Sequence, residues 1–327
     1  MENGRKAGNI QHMKIIGTGS ALPRKVVTNE DLTRFLDTSD EWISSRTGIR
    51  SRRVITDERL EDLAAEAAEK ALAEAGIAAA DLDYILCSNI ANYYVTPGLS
   101  CVVAGRIGAA CPAVDINCAC PGFLYAMDIA EAFFKTGRVR NVLIICAEEA
   151  TRMLDWTDRS TCILFGDGAG AAVFAPGDNI KGVRMDCQPD VNTLYECRKL
   201  NHTPFLTKEE KDVPLQMNGR EVFKFAVSTA VRDIESLLAE AGLTTDDIQY
   251  FMIHQANLRI IEAIRKRLGA PEEKFPTHVA DHGNASSASC AILLDECNRK
   301  GLFKRGDKLI FSAFGAGLLS GAILMEW

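Results

Sequence analysis

The chain has 327 residues, of which 47% are hydrophobic and 25% are charged, and its formal net charge is −7. This composition is typical of a folded globular enzyme and argues against disorder, while the acidic balance argues against a generally basic surface that binds nucleic acid. No apolar run reaches the roughly 18 residues that a membrane span needs, so no association with a membrane is expected.

The N-terminal segment MENGRKAGNIQH, residues 1–12, lacks the apolar core of a secretory signal peptide, so we expect a cytoplasmic protein. Met13 fits a natural start, and residues 1–12 are interpreted as a tag or an N-terminal tail. The eleven cysteines are then expected to be mostly buried, reduced thiols. Cys118 and Cys120 have no second close cysteine pair and no histidine at finger-like spacing, so no metal site is predicted.

Apolar runs rich in Ile, Val and Leu alternate along the chain with segments in which apolar residues recur every three or four positions. The runs predict strands over 14–17, 84–88, 113–116, 142–146, 250–253 and 309–311, and the periodic segments predict helices over 60–75, 221–241 and 258–268. Continuous apolar strands that alternate with helices indicate an α/β fold whose sheets are covered on both faces.

The sequence contains a faint internal repeat. The segment from Cys120 through a helix to VLIIC resembles the segment from Ser286 through a helix to KLIFS, at nearly the same spacing. Two copies of a βαβ-type unit would bring two equivalent strand-to-helix junctions together near a pseudo-twofold axis. We place the division near residues 176–182, which gives halves 13–180 and 181–327. A polar stretch, 189–213, is predicted to be a surface excursion over a site.

Cys120 is the first candidate functional residue. The apolar residues from Phe123 to Phe134 form one helical stripe, and Pro121 suits a first helical turn, so Cys120 is expected at a helix N-terminus. The helix dipole there favours the reactive thiolate. Cys118, two residues earlier at the end of a strand, lacks that environment. The alternative is that both cysteines are small core residues, as most unpaired cysteines are.

Two polar residues follow other predicted junctions. His254 ends an apolar strand before the helix 258–268, at the edge of an α/β sheet where ligands bind. Asn284 is expected at the start of the helix in the second repeat, close to the counterpart of Cys120. The alternative is a structural hydrogen bond for His254 and an ordinary helix cap for Asn284. A cysteine, a histidine and an asparagine at three such junctions together favour a catalytic site.

Several motifs in order identify a family resemblance. These are DTSDEWI (37–43), RTGI (46–49), the Cys120 junction, FGDGAGAAV (165–173), HQANLRI (254–260), HGNASSAS (282–289) and FGAG (314–317). Together they resemble β-ketoacyl-acyl carrier protein synthase III, a condensing enzyme of the thiolase superfamily, from about Met13 to the C-terminus. The resemblance implies a thiolase-like α/β fold, with duplicated βαβαβαββ halves in a five-layered αβαβα sandwich, and a homodimer.

The resemblance also implies an acyltransferase that initiates fatty acid biosynthesis. Such an enzyme joins an acyl-CoA primer to malonyl-acyl carrier protein by decarboxylative Claisen condensation, through an acyl-cysteine and without a permanently bound cofactor. The alternatives are a relative that primes a polyketide or other specialised pathway or only transfers acyl groups, a Cys-His-Asn hydrolase, and a non-catalytic protein that binds the carrier. Leu318-Leu319-Ser320 and Ala285 depart from the family pattern and leave the primer open.

The resemblance assigns roles to residues at the matching positions. Cys120 matches the nucleophile, His254 and Asn284 match its partners, and the backbone N–H groups of Cys120 and Ala316 match the oxyanion hole. The remaining matches are Trp42, Arg46, Arg159, Gly219, Ala256 and Asn257 for coenzyme A, Phe165 and Thr96 for the acyl pocket, with Thr96 in a loop that faces the dimer partner, and Lys224, Arg259, Lys266 and Arg267 for docking of the acyl carrier protein.

Overall fold

The computed structural model describes residues 12–201 and 203–327. Of the predicted tail, residues 1–11 lie outside the described residues. His12 begins the first strand, and its Nδ1 lies 2.5 Å from the carboxylate of Glu131. The first described strand therefore starts at the last residue of the predicted tail.

The N-terminal half follows the order βαβαβαββ, with a small hairpin and two short helices inserted after the first strand. Its elements are β1 (His12–Ala21), β2 (Lys25–Thr28), α1 (Asn29–Leu32), α2 (Asp40–Thr47), β3 (Ser51–Val54), α3 (Leu60–Ala75), β4 (Tyr84–Ser88), α4 (Leu99–Ile107), β5 (Ala113–Ile116), α5 (Gly122–Lys135), β6 (Val142–Glu149) and β7 (Asp167–Gly177). The predicted strands and helix of this half lie within these elements.

The C-terminal half follows the same order with two differences. The strands β9 and β10 are inserted after its first strand, and β5 has no counterpart in the part of the chain that the structure describes. Its elements are β8 (Ile180–Asp190), β9 (Leu194–Cys197), β10 (Val213–Met217), α6 (Gly219–Ala241), β11 (Tyr250–Ile253), α7 (Leu258–Leu268), α8 (Val279–His282), α9 (Ala288–Arg299), β12 (Lys308–Gly315) and β13 (Gly317–Glu326). Among the described residues no strand between α7 and α9 corresponds to β5, because α8 and an irregular segment occupy that part of the chain.

Two mixed sheets form the centre of the molecule. The first has five strands in the order β1-β7-β6-β4-β5, with β5 and β6 both parallel to β4, and the second has four in the order β11-β12-β13-β8. The chain passes from one sheet to the other between β7 and β8, within the segment where we expected the division. The halves 13–180 and 181–327 remain a prediction about folding units.

Three apolar clusters show that the architecture has five layers. One cluster packs α3 and α4 on the outer face of the first sheet, and another packs α6 and α7 on the outer face of the second. The largest cluster places α5 and α9 between the two sheets. The predicted αβαβα sandwich is thereby confirmed, with one strand fewer in the second sheet.

The motif FGDGAGAAV and the polar stretch 189–213 both contribute residues to strands. FGDGAGAAV enters β7, and its glycines allow a helix to approach closely: a Cβ on Gly170 would lie 2.6 Å from the Cβ of Ala291 in α9. The polar stretch 189–213 contains β9 and leads into β10, which pair as a two-stranded sheet. Within the described residues, no helix combines the length and apolar character needed to cross a membrane.

Candidate active site

A single cavity of about 660 Å³ brings the three predicted catalytic side chains together. Cys120, His254 and Asn284, which come from separate motifs, all line it. Cys120 follows β5, His254 follows β11, and Asn284 lies between α8 and α9. The cavity reaches the exposed residue Arg46, so the sulfur is not sealed inside the protein.

The two halves contribute backbone turns of the same shape. The side-chain oxygen of Asn117 accepts a hydrogen bond from the Ala119 N–H at 3.2 Å, and the side-chain oxygen of Asn284 accepts one from the Ser286 N–H at 2.8 Å. Ala119 and Ser286 both have φ of 48°, a left-handed conformation that is uncommon outside glycine. This register matches Asn284 with Asn117, and Cys120 with Ser287.

The expected position of Asn284 is therefore wrong by several residues. Helix α9 begins at Ala288, so Asn284 lies four residues ahead of it rather than at its start. The backbone of Asn284 is fixed on both sides, because its N–H donates to the Leu164 carbonyl at 2.9 Å and its carbonyl accepts from the Gly166 N–H at 3.1 Å. Since its side-chain oxygen is occupied by the Ser286 N–H, its Nδ2 hydrogens are the groups available to a ligand.

Cys120 lies immediately before Pro121, the N-cap residue of α5. Burial and, to a smaller extent, the charge of Glu148 raise the pKa of the Cys120 thiol to about 12, against the opposing effect of the Ser286 hydroxyl, which lies 3.6 Å from the sulfur. Burial thus acts on the thiol in the direction opposite to that expected from the helix N-terminus, and the resting thiolate stays a prediction that the structure does not support. Cys118, by contrast, does not line the cavity.

His254 is almost fully buried, and burial lowers its pKa to about 3, so the imidazole is neutral. Its Nδ1 lies 2.6 Å from the Ser289 hydroxyl oxygen, which also accepts from the Gln255 N–H at 3.4 Å. A serine hydroxyl that donates to Nδ1 leaves the ring hydrogen on Nε2. His254 then presents a neutral N–H donor, and the edge of its ring packs against Phe314 with centroids 5.5 Å apart.

The turn between β12 and β13 lies directly against the Cys120 junction. A Cβ on Gly315 would lie 2.9 Å from the Cys120 backbone nitrogen and 2.7 Å from Cδ of Pro121, so only glycine fits there. Ala316 follows in the same turn and also lines the cavity. The predicted pair of oxyanion donors, the N–H groups of Cys120 and Ala316, thus comes from two segments in close contact.

The predicted coenzyme A residues gather at the outer part of the cavity. The guanidinium carbons of Arg46 and Arg159 lie 4.6 Å and 5.0 Å from the centroid of the Trp42 ring. Arg159 does not line the cavity itself and pairs with Asp37 at 3.6 Å. The other three predicted residues, Gly219, Ala256 and Asn257, line the cavity.

The inner part of the cavity is apolar. Phe165 lines it as predicted, whereas Thr96 does not: it is exposed in the loop before α4. Its predicted role in the pocket of a dimer partner stays a prediction. Sequence reasoning missed most of this lining, namely Ile90, Ala150, Met153, Ile163, Leu164, Leu194 and Leu215. A signal existed for Leu194, because an isolated leucine in the polar stretch 189–213 suggests a surface that covers something apolar.

The four predicted docking residues are exposed on two neighbouring helices. Lys224 is on α6 and forms an ion pair with Glu221 at 3.3 Å, while Arg259, Lys266 and Arg267 are on α7. Helix α7 also begins beside the mouth of the cavity, since its N-cap residue Asn257 donates from Nδ2 to the Arg46 carbonyl at 3.4 Å. In the described part of the chain, no group of three or more His, Cys, Asp or Glu side chains is arranged to bind a metal ion.

Comparisons with known proteins agree with this geometry. The family profile described as 3-oxoacyl-[acyl-carrier-protein (ACP)] synthase III matches residues 114–189, and the one described as the C terminal of the same synthase matches residues 238–327. A relative in Clostridium acetobutylicum, a β-ketoacyl-[acyl-carrier-protein] synthase III, is 42% identical over 323 residues, which cover 96% of this chain and 98% of the relative.

Solved structures give the same result. The crystal structure of 3-oxoacyl-[acyl-carrier-protein] synthase III from Aquifex aeolicus has a TM-score of 0.89 and 39% identity, covering 96% of this chain and all of that one. The priming β-ketosynthase from the R1128 polyketide biosynthetic pathway has a TM-score of 0.91 and 35% identity, covering 99% and 98%.

Proposed function

This chain belongs to the β-ketoacyl-[acyl-carrier-protein] synthase III family, and we propose that its cavity performs both half-reactions, acyl transfer to Cys120 and condensation beside His254 and Asn284. Membership makes it an acyltransferase of fatty acid biosynthesis. The observation that carries the assignment of residues is the convergence of a thiol, a neutral imidazole and a carboxamide on one cavity that reaches an exposed residue.

In the first half-reaction the Cys120 sulfur attacks the thioester carbonyl of an acyl-CoA. The carbonyl oxygen becomes an oxyanion, which the backbone N–H groups of Cys120 and Ala316 stabilise. Collapse of this intermediate expels the CoA thiolate and leaves the acyl group on sulfur. Trp42 and the two arginines around it bind the adenine and phosphates by stacking and charge, and Asn257 and Gly219 line the path of the pantetheine.

In the second half-reaction malonyl-acyl carrier protein loses CO2 and becomes an enolate. Negative charge develops on its thioester oxygen, where the Nε2–H of His254 and the Nδ2–H of Asn284 donate hydrogen bonds. A neutral imidazole suits this task because it donates without having to lose a proton. The enolate carbon then attacks acyl-Cys120, and the collapse of the second tetrahedral intermediate releases the β-ketoacyl product.

The acyl carrier protein is the second substrate in this proposal, and the protein acts as a cytoplasmic homodimer. A carrier protein is acidic and meets the exposed cations on α6 and α7 beside the cavity mouth. The apolar inner part of the cavity takes an apolar acyl chain. Similarity to a polyketide-priming β-ketosynthase supports a second candidate with the same chemistry, a primer for a specialised pathway. Product analysis with acetyl-, branched-chain and longer acyl-CoAs and malonyl-carrier protein separates the two.

The assignment of Cys120 is tested by incubating the protein with acetyl-CoA and mapping the adduct by fragmentation mass spectrometry. We expect one acetyl mass on Cys120. Cys120→Ser should lose the adduct, and the matched variant Cys118→Ser should keep it, because Cys118 lies outside the cavity. An adduct on another residue, or none in the unaltered protein, would overturn the proposal.

A further inference from the structure

Glu148 is a buried carboxyl group beside the site that the mechanism above does not use. It lies near the end of β6 with 0% exposure, and it accepts hydrogen bonds from the Ser287 hydroxyl at 2.5 Å and from the Ile90 N–H at 3.1 Å. Among the described residues, no cation forms an ion pair with it, and only neutral hydrogen-bond donors lower its pKa. A buried carboxyl group without a cationic partner is costly to fold, which makes it a candidate for function.

Two adjacent serines connect this carboxyl group with the nucleophile. The Ser286 hydroxyl oxygen is 3.6 Å from the Cys120 sulfur, the Ser287 hydroxyl donates to Glu148 at 2.5 Å, and the Ser286 hydroxyl also lowers the pKa of Glu148. The charge of Glu148 in turn raises the pKa of Cys120. A negative charge on either group therefore makes a negative charge on the other less favourable.

Acylation needs a group that accepts this proton. Since the resting sulfur is a thiol, its proton must leave before or during attack on the thioester. His254 is a poor acceptor because burial lowers its pKa to about 3. Burial raises the pKa of Glu148 to about 7, which matches a base that works near neutral pH.

Building on the proposed function, we propose that Glu148, acting through the Ser286 hydroxyl, takes up the Cys120 proton as the sulfur attacks acyl-CoA. The S–H proton passes to the Ser286 oxygen while the Ser286 O–H proton passes to the Glu148 carboxylate. A bond forms between sulfur and the acyl carbon, the bond to CoA sulfur breaks, and the CoA thiolate takes a proton from water after it leaves.

In the acyl-enzyme state Glu148 holds this proton in equilibrium with solvent. Condensation expels Cys120 as a thiolate, which takes back one proton through Ser286. Decarboxylation consumes one proton overall, which is the one that CoA took from water, so the cycle balances. Within residues 12–201 and 203–327, the titratable groups whose pKa values the charge of Glu148 raises are three thiols, Cys87 on β4, Cys146 on its own strand and Cys120, and none of them supplies a positive charge.

The test is the pH dependence of acyl-enzyme formation, measured by quenched-flow mass spectrometry with acetyl-CoA. In the unaltered protein the acylation rate should rise with pH to a plateau, with a midpoint near 7, because only ionised Glu148 accepts the proton. Glu148→Gln should lower the rate at pH 7 by roughly 10²-fold, the usual contribution of a general base. Its remaining rate should keep rising at higher pH as hydroxide deprotonates the thiol.

Ser286→Ala should lower the acylation rate at pH 7 by the same factor. The double variant Glu148→Gln/Ser286→Ala should be no slower than either single variant, because both changes interrupt the same proton transfer. Glu131→Gln is the matched control: it removes another buried carboxylate, one that accepts from the Met13 N–H at 3.2 Å and does not line the cavity. It should keep the profile of the unaltered protein.

A second measurement does not depend on the variants' rates. Rapid-mixing infrared spectra recorded while the acyl-enzyme forms at pH 8 should show a transient carboxylic acid band, because Glu148 holds the thiol proton before it loses it to solvent, and Glu148→Gln should lack that band. The inference is overturned if Glu148→Gln forms acyl-enzyme with the unaltered rate and pH profile, or if that band is missing. Failure of the unaltered protein to form acyl-Cys120 at all would instead overturn the proposed function.

Discussion

The two strand-to-helix junctions of this duplicated fold share a backbone and differ in chemistry. In both, an asparagine side chain accepts a hydrogen bond from the backbone N–H of the residue two positions later, and that same residue has φ of 48°. At the following position the first junction directs Cys120 to the cavity, while the second directs the Ser287 hydroxyl to Glu148. Duplication thus supplies two equal frames, and the side chains decide which becomes the nucleophile.

The difference continues two residues further on. Gly122 of the first junction lies where a Cβ would be 1.9 Å from the Ser88 hydroxyl oxygen and 3.2 Å from Cβ of Ser287, so the two junctions meet there only because the residue is glycine. Its counterpart Ser289 has room for a hydroxyl group, which contacts Nδ1 of His254. One copy is specialised for close approach and the other for orienting an imidazole.

The largest expected effect comes from exchanging the two matching side chains. Cys120→Ser should lower acylation by at least about 10³-fold, because a serine hydroxyl is a far weaker nucleophile than a thiol and ionises much less readily. Adding Ser287→Cys should not restore activity, because the new sulfur would face Glu148 and not the cavity. Rates of acyl-enzyme formation from acetyl-CoA measure both variants.

If the double variant regained acylation, and the adduct lay on residue 287, the two junctions would be functionally interchangeable. The asymmetry argued above would then be wrong. Cys118→Ser controls for loss of a neighbouring thiol and should retain the unaltered rate.

The second comparison is between the two asparagines. Asn284→Ala should lower the condensation rate by about 10² to 10³-fold, since it removes one donor to the enolate oxygen, and should leave acylation nearly unchanged. Asn117→Ala removes the matching side chain from the nucleophile's turn and should lower acylation by less than about 10-fold, through a less ordered turn. Single-turnover acylation and release of CO2 from malonyl-carrier protein separate the two steps.

Equal losses of condensation in both variants would mean that the asparagines act only as turn residues. The result expected here, a step-specific loss for Asn284 alone, requires that its Nδ2 hydrogens face the reacting oxygen. Asn284→Asp keeps the side-chain oxygen that accepts from the Ser286 N–H and removes the Nδ2–H donor. Its condensation rate should therefore be as low as that of Asn284→Ala.

The features of the fold and the site that could be predicted from the sequence are those set by residues close together in the chain. The fold followed from local patterns and from the motifs: helix 60–75, strand 84–88 and the helix after His254 have the expected bounds. The convergence of Cys120, His254 and Asn284 on one cavity was expected from the repeat and the motifs together. Their catalytic roles still rest on the resemblance and on the experiments above.

What the sequence did not reveal depends on burial. The helix that begins after Cys120 suggested a thiolate. The pKa of the thiol depends instead on burial and on residues far away in the chain, among them Ser286 and Glu148. The fit of Gly315 against Cys120 and the apolar lining from β9 and β10 are likewise contacts across long separations. Spacing along the chain carries no record of such contacts.

The smallest expected effect concerns the carboxyl group that Ser287 contacts. Burial raises the pKa of Glu148 from 4.5 to about 7, so the folded protein binds a proton there that the unfolded chain has lost between those values. The contribution of Glu148 to the free energy of unfolding is therefore fully present below pH 4.5 and is lost as the pH rises through about 7, because the folded state must then bury an anion. Glu148→Gln, which stays neutral, should therefore be more stable than the unaltered protein at pH 8 by about 1 to 3 kcal/mol, less what the amide loses as an acceptor.

Thermal unfolding at pH 5 and pH 8 measures this difference. The advantage of Glu148→Gln should shrink at pH 5, where the folded protein already carries a protonated Glu148. An advantage that is equal at both pH values would mean that Glu148 does not change its protonation between them. The charge of Glu148, which Ser287 of the second junction contacts, would then be fixed over this range. Glu148 could not accept the proton of Cys120.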